Sequence, residues 1–213
     1  MSESSRARIL ARVRGALAHD ESLPPAPERH LAPAPSSHGA AAPAATFRQR
    51  AEKAAATVEE ITEWSEVPPA VERFGRAIGD TGAWSIAPGL ADLPWPPSQS
   101  HWVGGSRGEE SLGVAVGRFA VAETGSLVFV SGPRSPVSLL FLPRNLVAAV
   151  EWGSIVSTQE EVWQRLRDEV RERRSVHFVT GPSRTADVEQ TLQLGAHGPC
   201  RLHILLVTGP ARG

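Results

Sequence analysis

From Leu146 to Val207 the chain alternates between apolar β-rich runs and amphipathic helical stretches. Leu146–Trp152, Val176–Thr180 and Leu202–Val207 have the short apolar runs expected of buried strands. Between the first two, Thr158 and Glu161 form a capping-box pair. Val162, Trp163, Leu166 and Val170 make an apolar stripe, and Arg171, Arg173 and Arg174 complement a helix C-terminus, so a helix is expected over Thr158–Arg174. A second helix is expected over Thr185–Leu194, stopped by Gly195. Strand–helix–strand–helix–strand order predicts an α/β fold with an open, mainly parallel sheet flanked by helices and right-handed crossovers. Leu112–Val121, Leu127–Ser131 and Ser138–Leu142 read as further strands.

Upstream the pattern changes. Ile9, Leu10, Val13 and Leu17 recur at helical spacing, with Arg6, Arg8, Arg12 and Arg14 between them. This predicts an N-terminal helix over residues 1–18: a solvated basic face on a docked helix, a partner-docking element, or a membrane-surface helix, the last disfavoured because the apolar face lacks large aromatics. Residues 19–46 are rich in Pro and Ala and carry little that is worth burying, so they read as a linker. The α/β domain is then assigned to 47–213. Phe47–Trp64 reads as its first helix, and Pro68-Pro69 opens a second with Val71, Phe74 and Ile78 as its buried stripe. Trp84–Ala87 is a short strand, and Pro88–His101 is a long proline-rich loop.

Charge and cysteine content narrow the function. Twenty-two basic against 23 acidic residues give a net charge of -1, which excludes a bulk nucleic-acid binder. The single cysteine, Cys200, excludes an internal disulfide and a self-ligated iron–sulfur cluster. No apolar run approaches the roughly 20 residues of a membrane span, so the cytoplasm is the expected compartment. His101, His177, His197 and His203 show no metal-ligand spacing, and no metal site is expected. Tyrosine is absent and Lys53 is the only lysine, which removes tyrosine acid–base chemistry and confines a Schiff base to one position.

Three stretches are candidates for chemistry. In Val179–Asp187 a strand runs through Gly181-Pro182 toward an expected helix start. Backbone N–H groups of Gly181, Ser183 and Thr185 with the Arg184 guanidinium would welcome an anion there, although Ser183 and Thr185 also suit ordinary capping. Ala122-Glu123-Thr124-Gly125-Ser126 reads either as a glycine turn between strands or as a carboxylate at a strand end, with Glu123 the candidate base or nucleophile and Gly125 and Ser126 beside a ligand. Gly195-Ala196-His197-Gly198-Pro199 fixes a turn that presents His197 to a ligand or only reverses the chain.

Ala122–Leu127, Leu142-Pro143-Arg144-Asn145, Gly181–Glu189 and Gly195–Pro199, with the opening Ala7–Arg14, resemble the LUD domain of the lactate-utilisation protein C family. The resemblance implies a fold similar to the sugar-isomerase and coenzyme A transferase superfamily. It also implies a place among three operon-encoded proteins that oxidise L-lactate to pyruvate. Their iron–sulfur clusters would sit on the other two proteins, with no cofactor bound by this chain. Some transferases of the wider superfamily use a glutamate, a role that would fall on Glu123 by fold analogy.

These readings lead to an accessory, non-cluster-bearing subunit with a small-anion cleft, where Arg184 and His197 would contact a carboxylate. A stand-alone enzyme acting on a phosphorylated or coenzyme A-linked metabolite is a rival reading. A regulatory ligand-binding protein is another.

Overall fold

The computed structural model describes residues 3–18, 43–167, 175–186, 192–194 and 198–212. The chain divides into two units, residues 1–36 and 37–213. In the first, α1 (Glu3–Ala18) holds Ile9, Leu10 and Val13 in solvent. The expected linker lies largely outside the described residues, and its last four residues are already helical, because α2 spans Pro43–Lys53.

The second unit is built on a six-stranded, wholly parallel sheet. Its strands are β1 (Thr57–Ile61), β2 (Trp84–Ile86), β3 (His101–Val103), β4 (Leu112–Val116), β7 (Asn145–Glu151) and β12 (Arg201–Val207). Their order across the sheet is β1-β12-β7-β4-β2-β3. A second sheet of four strands runs β8 (Ile155–Val156), β5 (Phe119–Val121), β6 (Ser126–Val130), β9 (Val176–Val179). The α/β expectation of a mainly parallel central sheet flanked by helices holds.

Period-2 alternation explains the layers. On β7, Leu146, Ala148 and Val150 face the second sheet, where they join Leu127, Phe129, Ala120 and the α2 side chains Phe47 and Ala51. Val147 and Ala149 face the other way and pack with Val67, Ala70 and Val71 of α3 (Val67–Ala77). Strands covered on both faces carry nearly continuous apolar runs, which is why β7 and β12 were legible as strands. The outer face of the second sheet is closed by α5 (Gln159–Leu166), through Val162 and Leu166 against Phe119, Val121 and Val128. Thr158 Oγ1 caps α5 by accepting from the Glu161 N–H at 3.3 Å. Residues 168–174, the rest of the expected helix, lie outside the described residues.

Three expectations change. The helix expected over Phe47–Trp64 ends at Lys53, and Thr57–Ile61 is the edge strand β1, paired in parallel with β12. An edge strand tolerates Glu59 and Glu60 on its two faces, where they pair with Arg73 of α3 and Arg48 of α2, and these carboxylates hid it. Ser138–Leu142 is not a strand: Ser138–Phe141 is the one-turn helix α4, burying Leu139 and Leu140. Within the helix expected over Thr185–Leu194, β10 (Arg184–Ala186) pairs antiparallel with β11 (Leu192–Leu194), because tertiary pairing overrides the capping signals.

One polar residue sits in the α3 interface. The buried His203 stacks on Phe74 at 4.6 Å, and its Nδ1 meets Thr57 Oγ1 at 2.7 Å. Its Nε2 lies 3.3 Å from a Glu59 oxygen but is not aligned for a hydrogen bond, and Glu59 is itself paired with Arg73. Burial lowers the imidazole's pKa below its ordinary 6.5, Glu59 opposes this, and Arg73 adds to it. The folded state therefore favours neutral His203. Its contribution is complete above pH 6.5 and is lost as pH falls through that value toward the lowered one. Urea unfolding between pH 8 and 5 should show a loss of stability that shrinks in His203→Gln. An identical slope in the variant would contradict this.

Candidate functional site at the carboxyl edge of the sheet

Those of the residues singled out in the sequence that the structure describes lie at the end where β7 and β12 begin. Ser126 Oγ meets Thr124 Oγ1 at 2.7 Å and Thr180 Oγ1 at 2.6 Å, which ties the 122–126 turn to the end of β9. Ser183 N–H donates to Pro199 O at 2.8 Å, and Cys200 N–H donates to Arg144 O at 2.7 Å. The 142–145, 181–183 and 198–200 loops thus meet. The side chains of Arg184 and Thr185, and all of His197, lie outside the described residues.

The geometry of these motifs is that of a joint. Gly125 and Gly181 both have φ of +70°. A Cβ on Gly125 would lie 2.5 Å from Ala51 N, and one on Gly181 would lie 2.1 Å from Ala54 O. Both glycines are seats for the C-terminal end of α2. Glu123 Oε1 accepts the backbone N–H of Gln159 at 2.8 Å, so its carboxylate anchors the first turn of α5. The helix dipole expected to draw an anion to Gly181–Thr185 is replaced by the β10 strand. Among the described residues, no group of three or more His, Cys, Asp or Glu side chains is placed to hold a metal.

A cleft lies at the opposite end, where the parallel strands finish. Its volume is about 750 Å³. Its wall takes Trp64 from the turn after β1, Arg212 from the segment after β12 and Glu151 from the end of β7. Arg118 follows β4, and Gly89 follows β2. Val130 and the Gly132–Ser135 loop after β6, with Arg134, close the second-sheet side. Ligands of open α/β sheets are commonly held at this edge.

Charge in the cleft is uneven. Arg212 donates its N–H to Glu151 Oε1 at 2.8 Å, pairs its guanidinium with Asp92, and lies 5.8 Å over the Trp64 ring. Arg134 is exposed and makes no ion pair among the described residues; its backbone O accepts from Gly89 N–H at 3.4 Å. Arg118 is exposed beside the Phe119 ring. Among the described residues, Arg118, Arg134 and Arg212 line the cleft together with the carboxylate of Glu151.

The sequence held a trace of this cleft. Ser131-Gly132-Pro133-Arg134 follows β6, and Thr208-Gly209-Pro210-Ala211-Arg212 follows β12. Both read hydroxyl–Gly–Pro–Arg, the second with Ala211 inserted, after an apolar run, and both arginines reach the cleft. Thr180-Gly181-Pro182-Ser183-Arg184 echoes the pattern at the other edge.

Residues 110–207 match the LUD domain family. The lactate utilization protein C of Geobacillus thermodenitrificans is 28% identical over 128 residues, covering 54% of this chain and 53% of that one. Its counterpart in Bacillus pumilus is 30% identical over 103 residues, covering 46% and 43%. That of Bacillus subtilis is 29% identical over 104 residues, covering 47% and 43%. The chain spans about half the length of the curated relatives it matches. A solved DUF162 family protein from Deinococcus radiodurans superposes with a TM-score of 0.60 at 20% identity, over 78% of this chain and 96% of that one, a likeness of fold. The stretch from β4 to β12 therefore matches the LUD domain family over residues 110–207 and is similar to the lactate utilization C proteins.

Proposed function

We propose that this chain serves lactate utilisation as an accessory subunit that carries no cluster and binds a small anion in the arginine cleft. The names of its relatives support the pathway. The observation that carries the binding role is the cleft itself, whose described lining holds Arg118, Arg134 and Arg212 with the carboxylate of Glu151, and in which Arg134 is exposed. Oxidation of L-lactate to pyruvate releases two electrons. In this reading iron–sulfur partner proteins take them up, because one cysteine cannot supply the four thiolates of an ordinary cluster. This chain's part is to hold and orient an anion by charge-assisted hydrogen bonds from the guanidinium groups. In this reading Glu123 has a structural part, its Oε1 accepting the Gln159 N–H at the start of α5.

Affinity purification of the full chain from cells grown on L-lactate should recover iron–sulfur proteins. Deleting its gene should slow growth on L-lactate and not on glucose. Unimpaired growth on L-lactate, with no iron–sulfur protein recovered, would contradict the proposal.

A further inference from the structure

We infer that α1 is a docking arm that lays Ile9, Leu10 and Val13 into an apolar groove rimmed by Asp and Glu on a different protein; this stands apart from the anion cleft. Exposure is the first argument. Every residue from Arg6 to Gly15 is exposed, and Ile9, Leu10 and Val13 keep 53%, 42% and 49% of their surface in solvent. A helix of 16 residues is close to the length at which an isolated helix is marginal in water, and most helical stability in proteins comes from packing an apolar face. The apolar face of α1 has no such cover among the described residues.

Charge layout is the second. At about 3.6 residues per turn, Ile9, Leu10 and Val13 share one face of the helix. Arg12 borders that face on one side and Arg14 on the other, and Arg6 continues it toward the N-terminus. α1 carries four arginines against one acid, Glu3. Arg6, Arg8, Arg12 and Arg14 make no hydrogen bond or ion pair among the described residues. Three apolar side chains inside a cationic border fit a groove with an apolar floor and a carboxylate rim, where guanidinium forks meet the rim. Two other surfaces fit less well. A helix lying in a lipid interface carries large aromatics on its apolar face, and Arg6–Gly15 contains none. A second α1 would bring four more arginines to the same border, and like charges there repel.

Photo-crosslinking from the full chain in cells grown on L-lactate tests this. A benzophenone side chain is placed at Ala7, one turn from Leu10 and beside the apolar face. The crosslinked peptide is identified by mass spectrometry. It should come from one other protein and carry more Asp and Glu than Lys and Arg. Leu10→Asp, and the pair Arg12→Glu with Arg14→Glu, should each lower the crosslinking yield about tenfold, because the apolar anchor and the rim charges both contribute. Leu10→Met, which keeps the apolar bulk, should crosslink like the parent. No crosslink, crosslinks only to this chain or to phospholipid, or a partner peptide without excess acid would overturn the inference. Parent-like yield in the arginine pair would overturn it too. If the crosslinked partner is not an iron–sulfur protein, the docking arm stands and the accessory-subunit reading loses its support. If an iron–sulfur protein is recovered with the chain but nothing crosslinks from Ala7, the arm is overturned and that reading stands.

Discussion

Gly181→Ala should destabilise the folded chain by about 2–5 kcal/mol, more than a surface substitution could. Two costs combine. The residue has φ of +70°, where a side chain adds about 1–2 kcal/mol. The new Cβ would also lie 2.1 Å from Ala54 O, a backbone atom at the end of α2, and forcing such a contact adds about 1–3 kcal/mol. Gly125→Ala meets the same pair of costs against Ala51 N. The change is read as a shift in the urea midpoint at constant slope. A loss below about 0.5 kcal/mol at both positions would mean that the glycines serve something other than α2 packing.

Phe47→Ala should cost about 3–5 kcal/mol by urea unfolding, through lost burial and the cavity left behind. Phe47 is wholly buried and projects from α2 into the core shared by both sheets, against residues such as Leu127, Phe129 and Leu146. It therefore tests the same joint from its apolar side. Because Phe47 and Gly181 both hold α2, the double variant should lose less than the sum of the singles: once α2 has let go, the second change removes little. Simple additivity would show that α2 stays seated when either contact fails.

How much of this was legible follows from where each signal comes from. Strands β4, β6, β7 and β12 were visible because burial on both faces demands apolar runs. Helix α3 was visible because Pro68 and Pro69 sit in its first turn, where a missing N–H costs nothing. Strand β1 was hidden because the adjacent Glu59 and Glu60 interrupt its apolar run, which an edge strand tolerates, and edge position is a property of the whole sheet. The β10–β11 pair was hidden because Ser183, Thr185 and Asp187 look like a helix start, and only pairing with Leu192–Leu194 selects a strand.

The site was the least legible part. Gly125, Ser126, Gly181 and Ser183 were expected around a ligand, and they do gather, with Ser126 against Thr180 and Ser183 against Pro199. What gathers is a helix seat and a loop junction. Glycines that let a backbone approach a phosphate and glycines that let a backbone approach a helix end look alike in a sequence. The cleft arginines come from segments 16 to 94 residues apart, Arg118, Arg134 and Arg212, and only the parallel sheet places their strand ends side by side.

The central claim is that anions bind at the carboxyl edge of the sheet and not at the motif loops. It is tested most directly by titrating Arg134→Ala and Ser183→Ala with the same anion under the same conditions, using pyrophosphate and L-lactate in turn. The account predicts that the arginine variant loses about tenfold or more in affinity while the serine variant keeps that of the parent. Unchanged binding in Arg134→Ala with binding lost in a folded Ser183→Ala would place the ligand at the other end of the molecule.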